Sequence, residues 1–515
     1  MVVVQPTPAR PDSLRDAVML VAALTLVRLV ALFVTPLELY PDEAQYWLWS
    51  RELAFGYFSK PPMIAWAIWA TTAIGGDAEA WVRLSATLFQ AGAAVMVFLI
   101  GRRLLDARVG LAGAALYALM PGVQLSALVA ATDAPLLFFL GLFLWSYVVW
   151  LRSEGGRKAG FALAMGLALG LAFLSKYAAV YAVIGLILHA AVSAEARSAW
   201  RPLDLALFLA ALLTTLAPNL AWNATHGFAT FEHTASNAAW SGVQLFNVSE
   251  LAGFVGSQFG VFGPVPMGAL AVGIVLAIRT RRLAAPDLLL ICFTLPPLLI
   301  VCGQAFISRA NANWSGAGYL AGSVLVAAWL LRWRARRWLI GGLALQGAIA
   351  AAFLTFVVSP TLADQLGLSN GLKRARGWSD TADLILDRAA RDPAVTAIAV
   401  NNRFLFYATA YYGRAAFEAG APPLVSWLLM EGPRNQAETV APLTPAIGGR
   451  VLAVSFEGWR RAEMEADFAR ASGLEIGSVR LDPERRRRLE MFIGEGFAPR
   501  PRDPISGLPD RPTPP

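Results

Sequence analysis

Long apolar runs and short polar breaks alternate along most of this chain. Stretches long enough to cross the hydrocarbon of a bilayer, about 17 to 25 residues each, recur at 17–36, 80–101, 109–129, 134–151, 159–175, 177–195, 203–222, 251–278, 286–306, 315–331 and 338–359. The pattern predicts a mainly α, polytopic membrane protein of about eleven transmembrane helices (range 11–13), filling residues 1–359. Beyond that the texture changes. Strand-like runs such as AVTAIAV (394–400) and RVLAVSF (450–456) alternate with a helical stretch, DTADLILDRAARD (380–392), so 360–500 reads as a small α/β domain. The Pro-rich end, 501–515, reads as a disordered tail.

Composition agrees: 57% of residues are hydrophobic and 15% charged, where soluble domains average about 25% charged. The first apolar run carries Arg28 and lacks a small-residue cleavage site, so it reads as an uncleaved helix. With the N terminus inside, the short loops on its side hold fifteen basic residues, from Arg102 to Arg337. The opposite loops hold four: Arg51, Lys60, Lys176 and Arg309. This positive-inside asymmetry makes the N terminus cytoplasmic and, after eleven crossings, puts everything past residue 358 on the outer, periplasmic side. It also accounts for most of the +8 net charge, so nothing points to nucleic acid as a partner. Cys292 and Cys302 lie ten positions apart in one apolar segment, nearly opposite in helical phase, which suits packing rather than a disulfide or metal pair.

The outer side collects the chemistry. The stretch PDEAQYWLWSRELAFGYFSKPP (41–62) follows directly on the first apolar run. Read as a helix, its first half puts Asp42, Tyr46 and Trp49 or Ser50 on one face, with Glu43, Trp47 and Arg51 alongside. The next stretch, PPMIAWAIWATTAIG (61–75), starts a second short helix. Both are expected to lie in the membrane interface. Its tryptophans suit simple anchoring, whereas Asp42 and Lys60 beside hydrocarbon call for a partner or a task. Four more outer features join them. Asp133 stands where a helix N-cap would, and Lys176 with Tyr177 at another edge, where a snorkelling lysine would serve equally. The longest outer loop carries Asn219, Asn223, His226, Glu232 and His233; a divalent metal on the two histidines and loop hydrogen bonding both remain open. Last, Arg309, Asn311, Asn313 and Trp314 precede another helix; Arg309 offers a fork suited to phosphate.

In series, PDEAQYWLWSRELAFGYFSKPPM, TDAPLLFF, LAFLSKY, PNLAWNATHGF and the Asn-Trp of ANANWSGAGYL resemble the GT-C membrane glycosyltransferases, specifically bacterial relatives of the protein O-mannosyltransferases and of the lipid A aminoarabinose transferase. The resemblance implies a GT-C fold with two juxtamembrane helices in the first external loop and a polyprenyl-phosphate-linked sugar as donor. Carried over, Asp42 is the catalytic carboxylate, Glu43 its neighbour in the motif, Asp133 a second catalytic-cavity acid and Lys60 a donor-phosphate contact. Arg309 and Lys176 are electrostatic candidates for the same phosphate, and Tyr46, Tyr57, Asn223, His226, His233 and Trp314 for the cavity or acceptor. Where the aminoarabinose transferases carry YFEKPP, with the Glu tied to metal, this chain has Ser59 in YFSKPP. A metal on Asp42, His226 or His233 is therefore left undecided, and no other cofactor is expected.

The chemistry expected is inverting transfer of a sugar to an acceptor hydroxyl at the periplasmic face of a bacterial inner membrane. The acceptor is lipid A, core or another envelope glycan. Protein O-glycosylation is the alternative of the same fold, and lipid or glycolipid transport the alternative of another class. Membrane lipids are partners in every case.

Overall fold

The computed structural model describes residues 12–236, 246–281, 283–456, 458–503 and 508. Residues 237–240 of the long outer loop, Arg282 and most of the expected tail 501–515 lie outside them. Two compact units emerge. One holds residues 1–34 and 54–355, the other 35–53 and 356–515. Sequence patterning groups 1–359 together, yet 35–53 cluster with the C-terminal residues.

The first unit is helical: α1 (Asp12–Val34), then, after α2 (Pro41–Arg51) of the second unit, α3 (Met63–Gly75), α4 (Glu79–Leu104), α5 (Ala107–Leu119), α6 (Pro121–Leu128), α7 (Asp133–Leu151), α8 (Gly155–Ser175), α9 (Val180–Val192), α10 (Ala194–Ser198), α11 (Pro202–Thr225), α12 (Ala229–Ser236), α13 (Val248–Val261), α14 (Pro264–Thr280), α15 (Ala285–Ile307), α16 (Gly318–Arg332) and α17 (Arg336–Val358). Each of the eleven apolar stretches is helical. Among the described residues seven helices are long and apolar enough to cross a membrane alone, nine if each bent pair is one span; Tyr177–Val192 and Gly318–Arg332 are shorter.

The bends have local causes. Pro121 cannot donate into the ladder, and α5 and α6 meet at 61°. The carbonyl of Ala118, freed at the break, accepts from the buried Arg28 guanidinium and from Gln124 Nε2 at 2.7 Å. At Phe262–Gly263 the chain turns by 117° between α13 and α14. Gly263 takes φ +101°, a conformation reserved for glycine, and Gln346 Nε2 satisfies the Phe262 carbonyl at 2.8 Å. Both thiols, Cys292 and Cys302, are free.

The second unit is built on a six-stranded sheet of β1 (Ala397–Val400), β2 (Leu424–Ser426), β3 (Arg450–Ser455), β4 (Phe468–Ala471), β5 (Glu475–Arg480) and β6 (Arg486–Phe497), in the order β2-β1-β3-β6-β4 with β5 also on β6. β1 runs parallel to β2 and β3, and β6 antiparallel to β3, β4 and β5. Helices α18 (Pro360–Gln365), α19 (Trp378–Ala390) and α20 (Arg403–Tyr412) belong with it. The stretch after α1 is threaded into this unit. Glu38 accepts the backbone N–H groups of Trp378 and Ser379 at the start of α19, Tyr412 Oη accepts Leu39 N–H at 2.8 Å, and the Trp47 and Tyr411 rings meet edge-on at 4.9 Å. Burial raises the Glu38 carboxyl above its ordinary value, against the opposing pull of those two N–H groups.

Asp467 ties the end of the described chain to the sheet. Its buried carboxylate accepts from Trp427 Nε1 at 2.9 Å, Arg500 Nε at 3.0 Å and Arg502 Nη2 at 2.9 Å. Burial pushes the carboxyl up, and the hydrogen bonds from Arg502, the Arg500 N–H and Trp427 together bring it below its ordinary 3.8. A depressed carboxyl contributes stability above its unfolded pKa and loses it as pH falls through the folded value. Unfolding of this unit in wild type should therefore become easier as pH drops below about 4. Asp467→Asn, which takes the carboxylate away from the nearly buried Arg502 side chain, should cost about 3 kcal/mol at neutral pH, read as a lower melting temperature.

Candidate active site

In the second unit, Pro41 fills the first position of α2 and Glu43 the third. Glu43 is fully buried, and its Oε2 accepts the Tyr40 N–H at 2.8 Å, so this carboxylate closes the start of the helix. Asp42 faces the other way. Its side chain is about half exposed, and Oδ1 accepts from Arg403 Nη1 at 3.0 Å. The same nitrogen reaches Gln45 Oε1 at 2.8 Å. Arg403 is the first residue of α20, whose N-cap is Asn402, and its guanidinium lies 4.3 Å from the Phe404 ring centroid. An exposed ion pair adds only about 0–1 kcal/mol of stability; its consequence here is orientation. Tyr46 is buried with its ring 5.4 Å from Trp49.

In the first unit, Asp133 opens α7. Thr132 holds the N-cap position, and the Asp133 carboxylate is engaged elsewhere: Oδ1 accepts from Lys176 Nζ at 2.8 Å and Oδ2 from Asn313 Nδ2 at 3.2 Å. Both partners of the ion pair keep about a fifth of their side chains exposed. Three of the segments singled out from sequence thus meet at one carboxylate: TDAP, LSKY and NANW.

The loop carrying Lys60 is clamped from several sides. Asn219 Nδ2 donates to the Phe55 carbonyl at 2.6 Å, Thr230 Oγ1 to the Tyr57 carbonyl at 2.6 Å and Trp66 Nε1 to the Ala54 carbonyl at 3.0 Å. Tyr57 N–H closes the turn on the Lys60 carbonyl at 3.1 Å. Tyr57 itself is buried, its hydroxyl accepting the Ala54 N–H at 3.2 Å. Tyr177 Oη donates to Asn219 Oδ1 at 3.1 Å, and buried Asn223 donates to that hydroxyl at 3.3 Å. Lys60 is partly buried at the end of this frame. Gly56 lies flat on Trp222: a Cβ there would stand 2.3 Å from the ring. Gly56→Ala should shift ring or loop at a cost of about 1–3 kcal/mol, measurable as a drop in the melting temperature of detergent-purified protein.

Two of the remaining candidates flank the Lys60 loop through its ring contacts at Trp222 and Phe58. His226 is exposed, stacked on Trp222 with centroids 4.1 Å apart, its Nδ1 2.8 Å from the Trp222 carbonyl. His233 meets the edge of Phe58 at 6.0 Å. Among the described residues no three His, Cys, Asp or Glu side chains gather as a metal would require, so the residues present do not form a metal cluster with His226, His233 or Asp42. Trp314 packs in an apolar cluster with Phe254, Val301 and Ala305. Arg309 is exposed. Gln45 and Asn313, which contact candidate site residues, carry no role from sequence reasoning; the Asn and Arg of NNRFLFYATAYYG read from sequence as groups to meet an acceptor, and Arg403 is found on Asp42.

Residues 59–222 match the family described as dolichyl-phosphate-mannose-protein mannosyltransferase. The chain is 35% identical over 377 residues, 73% of its length and 77% of the relative's, to the lipid A galacturonosyltransferase RgtD of Rhizobium johnstonii. Its fold is similar to that of ArnT from Cupriavidus metallidurans, in the apo state (TM-score 0.63) and bound to undecaprenyl phosphate (TM-score 0.61). In each case identity is 17%, with 92% of this chain and 97% of that one covered. The chain belongs to the GT-C membrane glycosyltransferases, the family of the protein O-mannosyltransferases and the lipid A sugar transferases.

Proposed function

We propose that this enzyme moves a sugar, with inversion, from a polyprenyl-phosphate donor to a hydroxyl of an envelope lipid at the periplasmic face of the inner membrane, with lipid A as the acceptor class and a hexuronic acid as the sugar. The observation that carries the reading is the extensive identity to a lipid A galacturonosyltransferase. A fold shared with a protein seen bound to undecaprenyl phosphate supports the donor class. Family membership leaves transport without support.

In the reaction the acceptor oxygen bonds to the anomeric carbon as the bond from that carbon to the phosphate oxygen breaks. The electron pair leaves with the polyprenyl phosphate, and the acceptor proton passes to a base. Asp42 serves as that base, with Arg403 and Gln45 fixing the rotamer of its carboxylate. Oδ1 is occupied by Arg403, so Oδ2 is the atom that takes the proton. Lys60 and Lys176 stabilise charge growing on the leaving phosphate, Lys60 through its clamped loop and Lys176 through its pairing with Asp133. Asp133 is then a positioning residue, both its oxygens being engaged, and Glu43 supports Asp42 by holding the helix start. Arg309 remains an exposed candidate for longer-range attraction of the donor.

The match of residues 59–222 to the protein mannosyltransferases favours one second reading, transfer to protein. Purified enzyme incubated with a polyprenyl-phosphate-linked hexuronic acid and with either a lipid A precursor or a protein fraction separates the two. Mass spectrometry should show the lipid gaining one hexuronic acid residue and the protein fraction none; sugar on protein alone reverses the assignment.

A further inference from the structure

The β5–β6 hairpin has two unlike faces. Register pairs Ile476 with Glu490, Ser478 with Arg488 and Arg480 with Arg486. The alternate positions Gly477, Val479, Arg487 and Leu489 are buried; Arg487 lies 3.4 Å over the Trp378 ring and donates to the Gly377 carbonyl at 2.6 Å and to Thr381 Oγ1 at 2.8 Å. On the outward face Ile476, Ser478, Arg480, Arg486 and Arg488 are all exposed.

Two arginines directly across a ladder repel each other. Among the described residues Arg486 has no ion-pair partner, Arg480 reaches only the Asp482 carbonyl, at 3.2 Å, and Arg488 meets Glu490 at 3.4 Å while 62% of its side chain stays exposed. Glu490 is shared with Arg461, and the Asp482 carboxylate in the turn is engaged by Arg485. Basic charge is therefore in excess. Folding gains nothing from it, so the arrangement points to an anionic partner.

The position of the hairpin says which. Its turn is tied to the segment that leaves the last membrane helix: Arg485 Nη1 donates to Ser369 Oγ at 3.2 Å, and the Arg376 guanidinium bridges Asp364, the Leu481 carbonyl at 3.4 Å and the Pro360 carbonyl at 3.1 Å. Pro360 stands two positions beyond the end of α17. Exposed Lys373 and Arg374 lie in that same connecting segment, and exposed Leu474 and Ile476 add aliphatic surface beside the arginines. One guanidinium thus links the turn of the hairpin to the segment just past the end of α17.

We propose that the outward face of this hairpin, Arg480, Arg486 and Arg488, docks on the phosphate headgroups of anionic phospholipids in the bilayer that α17 enters. Basic residues near such a surface bind additively and lose their hold as salt rises. The inference rests on α17 crossing the membrane and not on the transfer reaction.

The test is hydrogen exchange of the 475–490 segment in the full-length protein, in nanodiscs of phosphatidylcholine alone or with phosphatidylglycerol added. Phosphatidylglycerol should slow exchange by about three- to tenfold, about 0.5 M salt should remove the difference, and Arg480→Ser/Arg486→Ser/Arg488→Ser should abolish it with the melting temperature unchanged. Equal exchange in the two lipids overturns the proposal, as does slowing that survives in the triple variant. Slowing that requires a phosphorylated glycolipid acceptor and is absent with phosphatidylglycerol also overturns it, and would make the face an acceptor site instead.

Discussion

Asp42→Asn is expected to lower sugar transfer by about 10²- to 10⁴-fold, the contribution of a positioned general base, with little change in melting temperature. The carboxylate is about half exposed and its pair with Arg403 is an exposed one, so the fold does not depend on it. Asparagine keeps the shape and a hydrogen-bond acceptor for Arg403 but cannot accept the acceptor hydroxyl's proton. Arg403→Gln should have a smaller effect, about tenfold, because it loosens the carboxylate without removing it, and Arg403→Lys should recover part of that loss. In a deletion strain, mass spectrometry of envelope lipids should show the sugar restored by wild type and missing with Asp42→Asn at equal expression. Full restoration by Asp42→Asn would show that another group takes the proton.

Lys176→Ala is expected to reduce kcat by about 10²- to 10³-fold, since a cation that meets the leaving phosphate works mainly in the transition state. The informative partner is Asp133→Asn. If Asp133 acts by orienting Lys176, as its 2.8 Å contact suggests, its loss should be substantial in wild type and nearly silent once Lys176 is alanine. Multiplicative losses would instead give Asp133 a role of its own and restore it to the catalytic residues. Asn313→Ala, which removes the second contact to Asp133, should follow the same pattern at smaller amplitude.

These tests rest on pairings that local sequence cannot display. The eleven apolar stretches, the helices at PDEAQYWLWSR and MIAWAIWATTAIG, and the strands at 397–400 and 450–455 were legible because each follows from periodicity, length and proline placement within one segment. The clustering of carboxylates, lysines and aromatic residues in a few polar breaks was legible too. The roles within the clusters were less so. Glu43 beside Asp42, and Tyr57 in the Lys60 loop, look like chemistry in a motif, yet their oxygens accept the backbone N–H groups of Tyr40 and Ala54. A buried N–H demands a partner, but which side chain supplies it depends on how the loop turns.

The sequence by itself determined that the chain is a membrane protein of many helices with an appended α/β region. Hydrophobic length and charge are properties of single segments, and the bilayer reads them directly. Only the tertiary structure decided that α2 belongs to the C-terminal unit, that Arg403 holds Asp42 across 361 positions, and that Asn313 meets Asp133 across 180. Such contacts come from how strands and helices stack once their apolar faces are buried. No pattern inside either segment records its partner.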